Sequence, residues 1–167
     1  GSADVRGEQM AVLETESHTL LTALKISRLI ERANANLGQL EDWQVANLTR
    51  MKHQRDHAIA TPVGLISRLA KATARAEVQW LEAREKRVFA GFAPHLEEVV
   101  KLVRDKAQLL GQALNLTPYN ALVDGFSHGI ATTDIDDIFK GLGRRLPGLI
   151  KDALEEQAKR PALPPTG

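Results

Sequence analysis

Between Pro62 and about Arg87, the residues Ile66, Leu69, Thr73, Ala76, Trp80 and Ala83 step by alternating threes and fours. That spacing is one face of an α-helix, and the seam is narrow enough for lengthwise packing against other helices. At about 1.5 Å per residue the helix would run roughly 39 Å. A helix of that length in a small domain demands an extended helical hairpin or a bundle, with Arg75, Glu82 and Arg84 on the solvated side. A coiled-coil dimer is the rival use of the same seam.

The rest of the chain repeats the pattern. A first helix is predicted from about Arg6 to Ala33, with Met10, Leu13, Leu20, Leu21, Leu24, Leu29 and Ile30 on its apolar face. A second runs from about Asp42 to Ala60 with Trp43, Ala46, Leu48 and Met51 inward and Asp42 as N-cap. Thr61-Pro62 and Thr117-Pro118 each combine a capping hydroxyl with a proline whose missing N–H costs a first helical turn nothing. After Gly91 and Pro94, a stripe of Leu96, Val99, Val100, Val103, Ala107 and Leu110 predicts a fourth helix ending at Gly111. A short helix from Pro118 to about Val123 stops near Asp124-Gly125. Thr132 or Thr133 then caps a last helix with Ile135, Ile138, Phe139, Leu142, Leu146 and Leu149 on its core face and Pro147 as a kink. No segment alternates apolar and polar for long, and aromatics are only 4% of residues. The expected fold is all-α, an elongated bundle of about five to six helices in a single domain over 3–160. Gly1-Ser2 has the look of a cleavage scar, and Pro161–Gly167 reads as a linker or the edge of an excised piece.

Composition removes several function classes. Lys and Arg number 22 against 21 acidic residues, so there is no positive field for a nucleic acid backbone. No apolar run approaches the roughly 20 residues that span a bilayer, and no export signal is visible, so no membrane partner is expected. The absence of cysteine excludes a disulfide framework and thiolate chemistry and suits the cytoplasm. Leu163–Gly167 matches the sortase L-P-x-T-G pattern without the required apolar anchor and basic tail, and is read as coincidence. No Ser-His-Asp order, P-loop or dinucleotide fingerprint occurs.

Two stretches lift the reading above a generic bundle. The first is Phe89 followed by Phe92-Ala93-Pro94-His95-Leu96-Glu97-Glu98-Val99-Val100; the second is Pro118-Tyr119-Asn120-Ala121-Leu122-Val123-Asp124-Gly125-Phe126, continuing to Thr132-Thr133. Both resemble the carboxypeptidase Taq family of metallocarboxypeptidases, with Asn120, Ser127 and His128 departing from the family's usual residues. Weaker similarity covers Arg6-Gly7-Glu8-Gln9 and Ala72–Ala76 with Trp80. The resemblance implies the N-terminal part of a larger, mostly helical, zincin-type peptidase. It also implies zinc or cobalt bound by an H-E-x-x-H motif beyond this chain, and a groove that these helices wall or partly cover. The implied partners are the remainder of the peptidase and a peptide substrate. An isolated piece would leave apolar surface open, above all on the last helix, and that surface could drive a non-native homodimer.

Within the chain no catalytic or cofactor-binding residue is expected. His53-Gln54-Arg55-Asp56-His57 imitates H-E-x-x-H by spacing, and two histidines at i and i+4 can share a metal. Gln54 stands where the general base belongs and cannot take a proton from metal-bound water, so the motif is not a peptidase site. His53 and His57 are therefore read as surface histidines on a polar face and kept only as metal candidates, with His18, His95, His128 or carboxylates as further ligands. Asp134, Asp136 and Asp137 are read as an acidic first turn complementing the helix dipole, and Trp43 and Trp80 as core. The chain alone is predicted inactive as a carboxypeptidase. The alternative is a stand-alone helical interaction module derived from the same family, pairing its long seam with a partner helix.

Overall fold

The computed structural model describes residues 3–159. The expectations attached to Gly1-Ser2 and to 161–167 fall outside them. The described residues form seven α-helices and two short 3₁₀ turns, with no strand among them. The helices are α1 (Ala3–Thr22), α2 (Leu24–Asn34), α3 (Asp42–Ala60), α4 (Val63–Lys86), α5 (Ala93–Leu114), α6 (Pro118–Asp124) and α7 (Thr132–Ala158). By backbone packing the chain divides into two units, Gly1–His128 and Gly129–Gly167. The all-α expectation holds. The count rises above six because the first predicted helix breaks at Ala23, which turns to extended dihedrals while its carbonyl accepts the N–H groups of Ile26 and Ser27 to start α2. No Gly or Pro marks that break.

In the first unit α1 packs antiparallel along α4, and α4 packs on α5. The α1–α4 contact is close: Gly7 and Ala11 are buried on α1, and a Cβ at Gly7 would sit 3.4 Å from the Lys71 Cα and 3.5 Å from the Ala74 Cβ. Ion pairs Asp4–Arg75 (3.0 Å), Glu8–Lys71 (2.7 Å) and Arg6–Glu77 (3.7 Å) lie along its edge. They are solvent-exposed, so they set register more than stability. This small-residue seam corrects the predicted face of the first helix. Met10, Leu13 and Leu20 are exposed, because backbones that approach this closely leave no room for large side chains between them, and Leu24 and Leu29, beyond the break on α2, are exposed as well. The seam of α4 moves similarly: Leu65, Ala72, Ala74 and Ala76 are buried, while Thr73 and Trp80 are not. Flanked by both α1 and α5, this helix must bury two faces. Leu65, Ala72 and Leu102 form the core, with Leu69, Val99 and Leu109 packed on it.

The tryptophans are not core either. Trp43 is 60% exposed and its indole donates to Glu41, and Trp80 is 43% exposed beneath the Arg84 guanidinium. Caps also differ by a residue. Glu41, not Asp42, precedes α3, with Gln44 accepting its backbone N–H at 2.8 Å, the reciprocal half of a capping box. Pro62 is the N-cap of α4, and Thr61 instead donates to the His57 carbonyl at 3.1 Å, closing α3. Thr117 does cap α6, accepting the Asn120 N–H at 3.3 Å. Asp134 caps α7 from inside the first turn, accepting the Ala131 N–H at 2.9 Å.

Gly111 does not end α5, which runs on to Leu114 and stops at Asn115 in the left-handed region with φ 56°. Its role is closeness: a Cβ there would lie 2.8 Å from the Leu116 carbonyl oxygen, so only glycine lets the chain fold back into α6. That turn buries Ala121 completely and places Asp124, the last residue of α6, against α3. Described by itself, α7 carries Ile138, Phe139, Leu142, Leu146 and Leu149 at helical spacing, all exposed rather than in a core.

A histidine–aspartate cluster as candidate functional site

Four residues apart on α3, His53 and His57 share a face, and that face meets the C-terminal end of α6. His53 Nε2 donates to Asp124 Oδ2 at 2.7 Å, and His57 Nε2 donates to the same oxygen at 2.8 Å. Past α6 the chain makes one more turn, with the Phe126 and Ser127 N–H groups both on the Val123 carbonyl at 2.9 Å. This carries His128 back so that its Nδ1 donates to Asp124 Oδ1 at 3.1 Å. The rings stack loosely around the carboxylate: the centroid of His53 is 4.4 Å from that of His57 and 4.0 Å from that of His128.

Burial grades across the cluster. Asp124 is 7% and His53 8% exposed, whereas the His128 side chain is half exposed. With Asp124 ionised, each ring nitrogen facing it carries the proton. For His53 this turns Nδ1 away from the carboxylate, and that atom is buried with no hydrogen-bond partner among the described residues. A buried polar atom left so costs about 1–3 kcal/mol.

The expectation that His53 and His57 are surface histidines is therefore corrected, since α6 covers the face they occupy. Of the further histidines considered, only His128 joins them, and the carboxylate is that of Asp124. His18 instead donates from Nε2 to the carbonyls of Ala58 (2.9 Å) and Thr61 (3.0 Å), tying α1 to the end of α3. His95 sits in the first turn of α5, outside the cluster. The sequence reading missed Asp124, although the Asp124/His128 spacing of four is the same one-face signal that flagged His53 and His57.

Two cavities adjoin the cluster. One, of about 560 Å³, is lined by His18, His57, Leu65, Leu69 and Lys106 among others; the second, of about 740 Å³, is lined by His53, His57, Gly125, Arg50 and Lys106. Neither converts the cluster into a hydrolytic centre, because Gln54 replaces the carboxylate that would activate water and Asp124 is occupied by imidazoles.

The whole chain can be set beside known proteins. Residues 1–164 match the model of the carboxypeptidase Taq (M32) metallopeptidase family. The chain belongs to that family. It is 32% identical over 167 residues to thermostable carboxypeptidase 1 of Thermus thermophilus, covering 93% of this chain and 32% of that protein. It is 30% identical over 144 residues to thermostable carboxypeptidase 1 of Pyrococcus furiosus, covering 86% of this chain and 28% of that protein. Among solved structures, Trypanosoma cruzi metallocarboxypeptidase 1 superposes with a TM-score of 0.81 at 36% identity, over 98% of this chain and 33% of that one. The chain thus spans about 30% of the length of the relatives it matches. A metal is implied for the full-length M32 protein, but the residues here do not fit a peptidase metal. The sequence contains no H-E-x-x-H, and its nearest imitation carries Gln54.

Proposed function

We propose that this chain is the N-terminal helical region of a metal-dependent carboxypeptidase that removes C-terminal residues from peptides, and that its helices wall or cover the substrate groove. The observation that carries this reading is the M32 match over residues 1–164 at about 30% of the relatives' length. Metal, base and the ligands of the scissile carbonyl then lie in the remainder of the enzyme, which is this region's first partner, with the peptide as its second. Zinc or cobalt is the proposed ion of the complete protein, and the cytoplasm its proposed compartment, in keeping with the absence of cysteine. Exposed apolar residues on α1 (Val12, Leu13, Leu20) and on α7 (Phe139, Leu142, Leu149) supply surface for the remainder to cover. The α7 stripe also favours a second reading, a stand-alone helical module that binds a partner helix or forms a homodimer.

One assay separates the two: release of C-terminal amino acids from blocked dipeptides by the 167-residue chain and by a chain extended downstream, each with added zinc or cobalt and a chelator control. Activity confined to the extended chain is expected. Activity in neither would favour the interaction module, and activity in the short chain would overturn both.

A further inference from the structure

We propose that His53, Asp124 and His128 form a structural binding site for a divalent cation of the zinc class, separate from the peptidase metal. One ligand atom from each of the three lies within 4.8 Å of the other two. Two imidazole nitrogens and one carboxylate oxygen are the donors that zinc-like ions select, and water fills the fourth tetrahedral position. In a tetrahedral site with bonds of about 2.0–2.1 Å, neighbouring ligand atoms stand about 3.3 Å apart. His53 Nε2 lies 2.7 Å from Asp124 Oδ2 and His128 Nδ1 lies 3.1 Å from Asp124 Oδ1, so an ion that replaces the bridging protons needs only small shifts of these side chains to bring one oxygen and both nitrogens into that geometry.

Three further features distinguish this cluster from a set of satisfied surface histidines. His53 is more than nine-tenths buried, so its Nε2 and the Asp124 oxygen beside it are shielded from bulk water that would compete for an ion. His57, whose Nε2 lies 2.8 Å from Asp124 Oδ2, supplies the outer hydrogen bond that orients a ligating carboxylate. His53 and His57 line the cavity of about 740 Å³, which gives an ion a way in. Arg50 and Lys106 line the same cavity, so the attraction comes from the ligands at contact range and not from the surrounding field.

Gln54 makes the site non-hydrolytic. Its effect is to join α3 to the end of α6 across 71 residues, so that binding the folded form alone stabilises it. Because the chain has no H-E-x-x-H, any metal it takes up cannot belong to the peptidase centre.

The test is equilibrium dialysis of tag-free, chelator-stripped 167-residue chain against zinc. Bound metal is measured by mass spectrometry, thermal unfolding is followed by circular dichroism with and without zinc, and cobalt is substituted for its visible spectrum. Uptake of about one ion per chain, a raised Tm and the intense bands of tetrahedral cobalt are expected. His128→Ala alters a half-exposed side chain and should fold like the parent; it should lose both the Tm shift and at least tenfold in affinity, as should Asp124→Asn. No uptake by the parent chain, or equal uptake by His128→Ala, would overturn the assignment.

Discussion

Gly111 shows how one missing carbon decides where a functional residue lands. A methyl group there would meet the Leu116 carbonyl oxygen at 2.8 Å, and the obstacle is backbone that cannot rotate away. Alanine would otherwise favour the helix by up to about 1 kcal/mol. The strain of forcing α6 off α5 exceeds that gain, so Gly111→Ala should destabilise the chain by about 1–2 kcal/mol, read as a lower Tm in thermal unfolding. At this scale the sequence was only partly legible. The glycine was visible as a helix stop, yet its contact is with a turn five residues on, which periodicity does not report. The same holds at the candidate site. His53 and His57 were picked out by spacing, but Asp124 was read as the end of a short helix, because 71 residues separate it from His53 and nothing local announces the meeting.

Among elements, the pairing of α1 with α4 turns on small residues. At Gly7 an added Cβ would make ordinary contacts of 3.4–3.5 Å. Gly7→Ala should therefore raise stability by about 0.5–1 kcal/mol through helix propensity, while Gly7→Leu should lower it by about 1–3 kcal/mol through overpacking. Denaturant titration of the two variants checks both signs. Helix existence was legible almost throughout, because Thr-Pro starts and 3.6-residue spacing are local. Helix faces were less so: on α1 a reading that seeks large apolar residues chose Met10, Leu13 and Leu20, whereas the packed seam is Gly7 and Ala11. On α3, Leu48 was placed correctly, but Trp43 and Met51 are exposed.

For the molecule as a whole, the unpartnered stripe of α7 sets an expectation that differs between the short chain and its longer relatives. Phe139 and Leu149 are 64% and 65% exposed, so Phe139→Lys with Leu149→Lys should change the stability of the 167-residue chain by no more than about 0.5 kcal/mol. On the proposed reading, in which the remainder of the enzyme covers the stripe, the same pair should reduce soluble yield or peptidase activity of the extended protein. Sedimentation of the short chain supplies the complement: if the stripe drives self-association, the double variant should remain monomeric where the parent does not. The contact between α3 and α6 carries a kinetic corollary. Helical turns and neighbouring hairpins close quickly, whereas a junction reached only after 71 residues of intervening chain have been arranged closes late. Loss of the His–Asp junction, as in Asp124→Ala, should therefore leave the refolding rate nearly unchanged and speed unfolding, so that the junction governs how long the native state lasts and not how soon it is reached.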